Sequence, residues 1–149
     1  MQLMKDNCLF CKISRKDADA FIVFEDDVCL AILDIAPAST GHMLLLPREH
    51  YMFMPMVPDD VLGHLSSVSL MLSNLLQEAF TCKSVKTIIS NGAAAGQQSQ
   101  HFMLHIIPEY VDHVLSFDLE GKSTIPEAKL EELQRSLQEK LVTMNAQAN

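Results

Sequence analysis

The segment His101-Phe102-Met103-Leu104-His105-Ile106-Ile107-Pro108 sets an imidazole, a thioether and a second imidazole at every other position. In an extended chain alternate side chains share a face. His101, Met103 and His105 then project together, and Phe102, Leu104 and Ile106 form an apolar face for a helix to cover. A neutral imidazole can act as nucleophile, base or metal ligand, and an imidazolium can bind phosphate. The same alternation also occurs in plain surface strands, so alone it leaves function open. The loop before it, Asn91 to Gln97, is built of small residues. These let backbone N–H groups approach an anion closely, or simply form a hairpin connection around Asn-Gly. Cys8 and Cys11 make a Cys-x-x-Cys pair. In a reducing compartment such a pair points to metal or redox chemistry more than to a structural disulfide. Cys29 lies in an apolar run and reads as core; Cys82 has no evident role.

The elements that must position these groups follow from periodicity. Phe21–Glu25 and Cys29–Asp34 are β-rich runs parted by Asp26 and Asp27, a hairpin signal. Gly41–Pro47 reads as a third strand, Val85–Ser90 as a fourth and His101–Ile107 as a fifth, ended by Pro108. Between the third and fourth, apolar residues at 61, 62, 65, 68, 72, 75 and 76 have helical spacing over Asp59–Phe80. Asp59 and Asp60 suit the positive end of that helix, on which His64 is expected to be solvated. Leu130, Leu133, Leu137 and Leu141 mark a second helix over Pro126–Met144, docked on its own domain or on a partner. Segregated elements of this kind predict an α+β fold with a five-stranded antiparallel sheet, one long helix and a C-terminal helix.

The chain has 149 residues, 48% of them hydrophobic, which suits one domain over 1–149. A net charge of −8 argues against a duplex nucleic-acid binder, which needs a dense cationic face. A mononucleotide needs only a few aimed donors. No run approaches the roughly 20 apolar residues of a membrane helix. The first residues also lack the apolar core of a signal peptide, so a cytoplasmic location is expected.

Taken together, Gly96-Gln97-x-x-x-His101-Phe102-Met103-Leu104-His105-Ile106-Ile107 resembles the signature of the histidine triad (HIT) family, His-φ-His-φ-His-φ-φ with φ apolar. Cys8–Ile13, Phe24–Pro37 and Gly41–His50 resemble other segments of that family in the right order, over roughly residues 7–110. The resemblance implies attack of the middle histidine on an α-phosphate, a covalent nucleotidyl-histidine, and its hydrolysis or transfer. Here Met103 holds the middle position, and a thioether makes no stable intermediate of that kind. His105 matches the third histidine, near the reacting phosphate, and His42 matches another active-site histidine. The resemblance further implies that Phe10, Ile13, Leu33 and Ile35 contact the base, and that Asp34 accepts from the ribose hydroxyls. Asn91, Gly96 and Gln97 would donate on the phosphate side.

Some branches of the family hold zinc through two cysteines, a histidine after the third strand and the first triad histidine. Cys8, Cys11, His50 and His101 match that set, implying one structural zinc. Tyr51 and His113 receive no role. The implied protein binds purine nucleotides, pairs as a homodimer, and has its nucleotidyl hydrolase or transferase chemistry impaired by Met103. Two alternatives stand: an active hydrolase, if Met103 replaces a native histidine by engineering, and a non-catalytic interaction module.

Overall fold

A computed structural model describes residues 2–112 and 125–147. Two compact units divide the chain, Met1–Leu115 and Ser116–Asn149. The first unit holds two short helices, α1 (Gln2–Asn7) and α2 (Leu9–Ser14), then strands β1 (Ile22–Glu25), β2 (Cys29–Leu33) and β3 (Met43–Pro47). The long helix α3 (Asp59–Ala79) precedes β4 (Ser84–Ile88) and β5 (Leu104–Glu109). The fold is α+β. Every pairing in the five-stranded sheet is antiparallel, in the order β1-β2-β3-β5-β4.

Alternation along the strands builds a core on each face. Cys29, Ala31, Met43, Leu45, Phe102, Leu104 and Ile106 pack against Leu65, Val68, Leu72 and Leu76 of α3. The helix buries those four at spacings of three and four, as the sequence pattern requires. On the opposite face Leu30, Ile32, Leu44 and Leu46 meet Ile13 of α2, with Phe10 and Met103 packed alongside. Cys29 is a core residue, as expected, and Cys82 is buried with its thiol on the Leu76 carbonyl.

Several boundaries differ from the sequence expectation. β5 starts at Leu104 rather than His101, because β3 pairs with it only through Met43–Ile106, Leu44–His105 and Leu45–Leu104. The Phe102 N–H turns instead to the Tyr51 carbonyl at 2.7 Å. His101 and Met103 therefore sit in an extended approach to the strand, although Phe102, Leu104 and Ile106 still share the α3 face. β5 also runs through Pro108 to Glu109. Beyond Ile106 its only ladder partner among the described residues is β4, and a proline without an N–H is tolerated on such an edge. The two N-terminal helices were not expected; each is six residues, too short to show a period.

Gly41 closes the turn into β3 with φ +94°, and a Cβ there would meet Leu76, Phe80 and Pro108 at 3.2–3.3 Å. Only glycine fits that approach. In the second unit α4 spans Glu127–Gln147, slightly longer than expected, with the Pro126 carbonyl accepting from Lys129 and Leu130 at its start.

Candidate functional site

Helix α2, the turn after β3 and the approach to β5 bring Cys8, Cys11, His50 and His101 together. One ligand atom of each lies within 4.8 Å of all the others. Cys11 Sγ is 3.2 Å from His50 Nδ1 and 3.6 Å from His101 Nδ1, and Cys8 Sγ is 3.5 Å from His101 Nδ1. A tetrahedral zinc with its usual bond lengths sets sulfur and nitrogen about 3.5 Å apart. The donor set and its spacing therefore fit that ion. The Nε2 of His101 is 2.9 Å from the Pro47 carbonyl, which can only accept, so Nε2 carries the proton and Nδ1 turns its lone pair to the thiols. His50 Nε2 is buried without a hydrogen-bond partner among the described residues.

Without a metal, burial favours the neutral forms of Cys11, His50 and His101. Burial, then the neighbouring Cys8 thiol, pushes the Cys11 thiol up to about 11. Burial pulls His101 down to about 4 against the opposing bond to Pro47, and pulls His50 down with help from Lys5. Neutral imidazoles are the form that can ligate, whereas the thiols would ionise on binding a cation.

A second cluster sits where β3 and β5 pair. The Ala38 N–H donates to His42 Nδ1 at 3.1 Å, so the proton of His42 is on Nε2. That Nε2 lies 3.0 Å from His105 Nδ1, which must accept. His105 is thereby fixed with its proton on Nε2, the nitrogen that His42 does not engage. Asp34 Oδ2 stands 3.6 Å from His42 Nδ1, a nearby negative charge rather than a bond. Burial lowers both imidazoles below their ordinary value, with Asp34 opposing in each case. These three residues also cluster closely enough to be considered for a metal. The lone pair of His42 Nδ1 is already taken and its Nε2 is a donor, so the arrangement suits proton relay better than ligation.

Beside the relay opens a cleft of about 300 Å³. Phe10 and Ile13 of α2 line it, with Leu33, Asp34 and Ile35 at the end of β2. All four of the apolar residues expected to touch a base are thus brought to one cavity, with the carboxylate expected at a ribose among them. Leu9, Asp19, Ala20, Phe21, Ile32 and Leu44 complete the lining and were not anticipated. For Ile32 and Leu44 the alternation of their strands carried the signal. Met103 packs at half-burial against the Leu30, Ile32 and Leu44 face.

The loop from Asn91 to Gln97 contains a 3-10 turn at Ala93–Ala95, flanked by Gly92 (φ +97°) and Gly96 (φ +87°). Gln97 is engaged within the scaffold. Its Nε2 donates to the Met52 and Ser99 carbonyls at 2.7 Å, and its Oε1 accepts from the Gly92 N–H at 2.7 Å. Asn91 Oδ1 accepts from the Met54 N–H. In this arrangement Gln97 braces the loop with its whole amide, whereas Asn91 is held only through its oxygen; the donors left for an anion are the Asn91 side-chain NH2 and backbone N–H groups.

His64, expected to be solvated, is partly exposed but also paired. Its Nε2 is 2.6 Å from Asp26 Oδ2, tying α3 to the β1–β2 turn. Burial alone would raise Asp26, but bonds from the Cys29 and Val28 N–H groups and from His64 hold its carboxyl down to about 2. The Asp26 carbonyl also accepts from Arg48 Nε, and Arg48 reaches the Ser14 carbonyl at the end of α2. His113 lies outside the described residues. No described helix is long and apolar enough to cross a membrane.

Residues 15–112 match the HIT domain family. Cys8 and Cys11 precede the matched stretch. The chain is 39% identical over 105 residues to the adenylylsulfatase HINT3 of Arabidopsis thaliana, covering 70% of this chain and 53% of that protein. It thus spans about half the length of that relative. The histidine triad nucleotide-binding protein of Candida albicans superposes with a TM-score of 0.82 at 27% identity, over 92% of this chain and 99% of the other. A zinc-bound histidine triad family protein from Mycobacterium smegmatis superposes with a TM-score of 0.69 at 27% identity, over 95% and 98%. The sheet order, the imidazole pair at the β3–β5 seam and a match across two thirds of the sequence agree, and this chain belongs to the HIT domain family.

Proposed function

We propose that this chain binds purine nucleotides in the apolar cleft beside His105, and that Met103 impairs the nucleotidyl hydrolase or transferase chemistry related proteins perform. The observation that carries the reading is the continuity of three chemistries along one face: an apolar slot, a carboxylate at Asp34, and the oriented His42–His105 pair. A base fits the slot, two ribose hydroxyls suit the carboxylate, and an α-phosphate accepts from His105 Nε2–H. Asn91, Gly96 and Gln97 shape the phosphate end, through the Asn91 side-chain NH2 and backbone donors, with the Gln97 amide held in the scaffold.

Transfer by a covalent route needs an imidazole to displace the leaving group from phosphorus and hold the nucleotidyl group. The Met103 thioether has no proton to lose and gives no stable phosphorylated form. Binding is thereby separated from turnover. Cys8, Cys11, His50 and His101 would hold one structural zinc, which would fasten α2, and with it Phe10 and Ile13, to the sheet. We also assign the protein to the cytoplasm as a two-fold homodimer, with neither nucleic acid nor membrane as partner.

Calorimetry with adenosine or guanosine monophosphate tests the binding claim. Saturable heat at micromolar to millimolar nucleotide is expected. No heat at millimolar ligand, in folded protein, would favour an interaction module instead.

A further inference from the structure

We infer that Asp19 is a specificity residue that favours guanine over adenine in the apolar cleft. The inference rests on the nucleotide-binding reading and adds which purine edge the site selects. Among the described residues two ionisable side chains line the cleft, Asp34 and Asp19. Asp34 lies beside His42 and is accounted for by the ribose. Asp19 has no such assignment, is exposed, and makes no hydrogen bond or ion pair with another described residue.

The order across the sheet fixes which end of a ligand meets it. His105 is on β5, His42 enters β3, Asp34 leaves β2, and Asp19 leads into β1, where the Phe21 carbonyl accepts from the Leu33 N–H. Neighbouring strands lie about 4.8 Å apart, so β5 to β1 spans about 14 Å. A nucleoside monophosphate with its phosphate at His105 and its ribose at Asp34 directs its base toward the Asp19 side.

An ionised carboxylate only accepts hydrogen bonds. Guanine presents two adjacent donors, N1–H and the N2 amine, that match its two oxygens. Adenine presents one donor beside the N1 lone pair, which faces the second oxygen and repels it. An aligned pair of such bonds discriminates between bases, and at an exposed position the lower end of its range applies, about five- to tenfold in affinity. Asparagine in its place offers one donor and one acceptor, the complement of adenine.

The test is calorimetry of the full chain with guanosine, inosine and adenosine monophosphates, using wild type, Asp19→Ala and Asp19→Asn, with circular dichroism confirming equal folding. Expected are guanosine tightest in wild type, inosine between, equal affinities in Asp19→Ala, and a reversal toward adenosine in Asp19→Asn. Equal wild-type affinities, or a guanosine preference that survives Asp19→Ala, would overturn the role of Asp19 and leave nucleotide binding standing. Failure of all three nucleotides to bind wild type would remove the binding reading itself, and this inference with it.

Discussion

Stripping metal from the Cys8, Cys11, His50 and His101 cluster should weaken the domain without unfolding it. The four side chains that would hold the proposed zinc come from α2, the turn after β3 and the approach to β5, which no disulfide joins among the described residues. Two of them, Cys11 and His101, are only 4% and 1% exposed. Both stay neutral without a cation, since burial raises the thiol to about 11 and lowers the imidazole to about 4. No buried charge is therefore left behind, and the α3-side core remains. A ligand present at a hundredfold excess over its dissociation constant adds about 2.7 kcal/mol of stability. A domain of this length shifts by about 3 °C per kcal/mol, so chelation should lower Tm by about 8 °C. Thermal melts under reducing conditions, with and without chelator, read this directly. Cys11→Ser should start near the lowered value and ignore the chelator. Because α2 carries Phe10 and Ile13, nucleotide affinity should fall in parallel. Metal-free untreated protein with reduced cysteines, or a Tm unmoved by chelation, would rule out a structural zinc at these four residues.

Other consequences are sharper in single residues. Asp34→Ala should weaken ribonucleotide binding by about tenfold, the scale of hydrogen bonds to a charged group, while a dideoxynucleotide loses little by comparison in the same titration. Asp26→Asn should cost about 1–2 kcal/mol in urea unfolding at neutral pH, the shift from 3.8 to about 2 being reduced for a side chain that is 28% exposed. Its folded value lies below its unfolded one, so the stabilisation is full above pH 3.8 and fades as pH falls toward 2; the gap between wild type and variant should close over that window. Leu72→Ala, at a fully buried position on α3, should cost about 2–5 kcal/mol by the same measurement.

Much of this architecture was legible because periodicity is a local signal. The alternation of Phe102, Leu104 and Ile106 and the helical spacing of Leu65, Val68, Leu72 and Leu76 each identify a face, and the two faces meet. The start of β5 was not legible. It depends on where β3 stops pairing with it, at Leu45, and on the Phe102–Tyr51 backbone bond between distant segments. The same limit applies to the site. Residue types pointed to Cys8, Cys11, His50 and His101 through resemblance, but the Pro47 carbonyl that sets the His101 tautomer is backbone and leaves no mark in sequence. The Ala38 N–H that orients His42 is equally silent. Gln97 matches a phosphate-side donor by resemblance, yet its amide is engaged with Met52, Ser99 and Gly92. The pairing of His64 is hidden because Asp26 is 38 residues away in sequence.

The proposed site is competent apart from the atom at its centre. The rate at which Met103→His cleaves a nucleoside phosphoramidate, measured beside wild type, decides this. Little or no turnover is expected in wild type. In the variant a clear gain is expected, with a nucleotidyl group trapped on the new imidazole after acid-free denaturation. A zero rate in a folded, nucleotide-binding Met103→His variant, or brisk cleavage by wild type, would overturn the proposal.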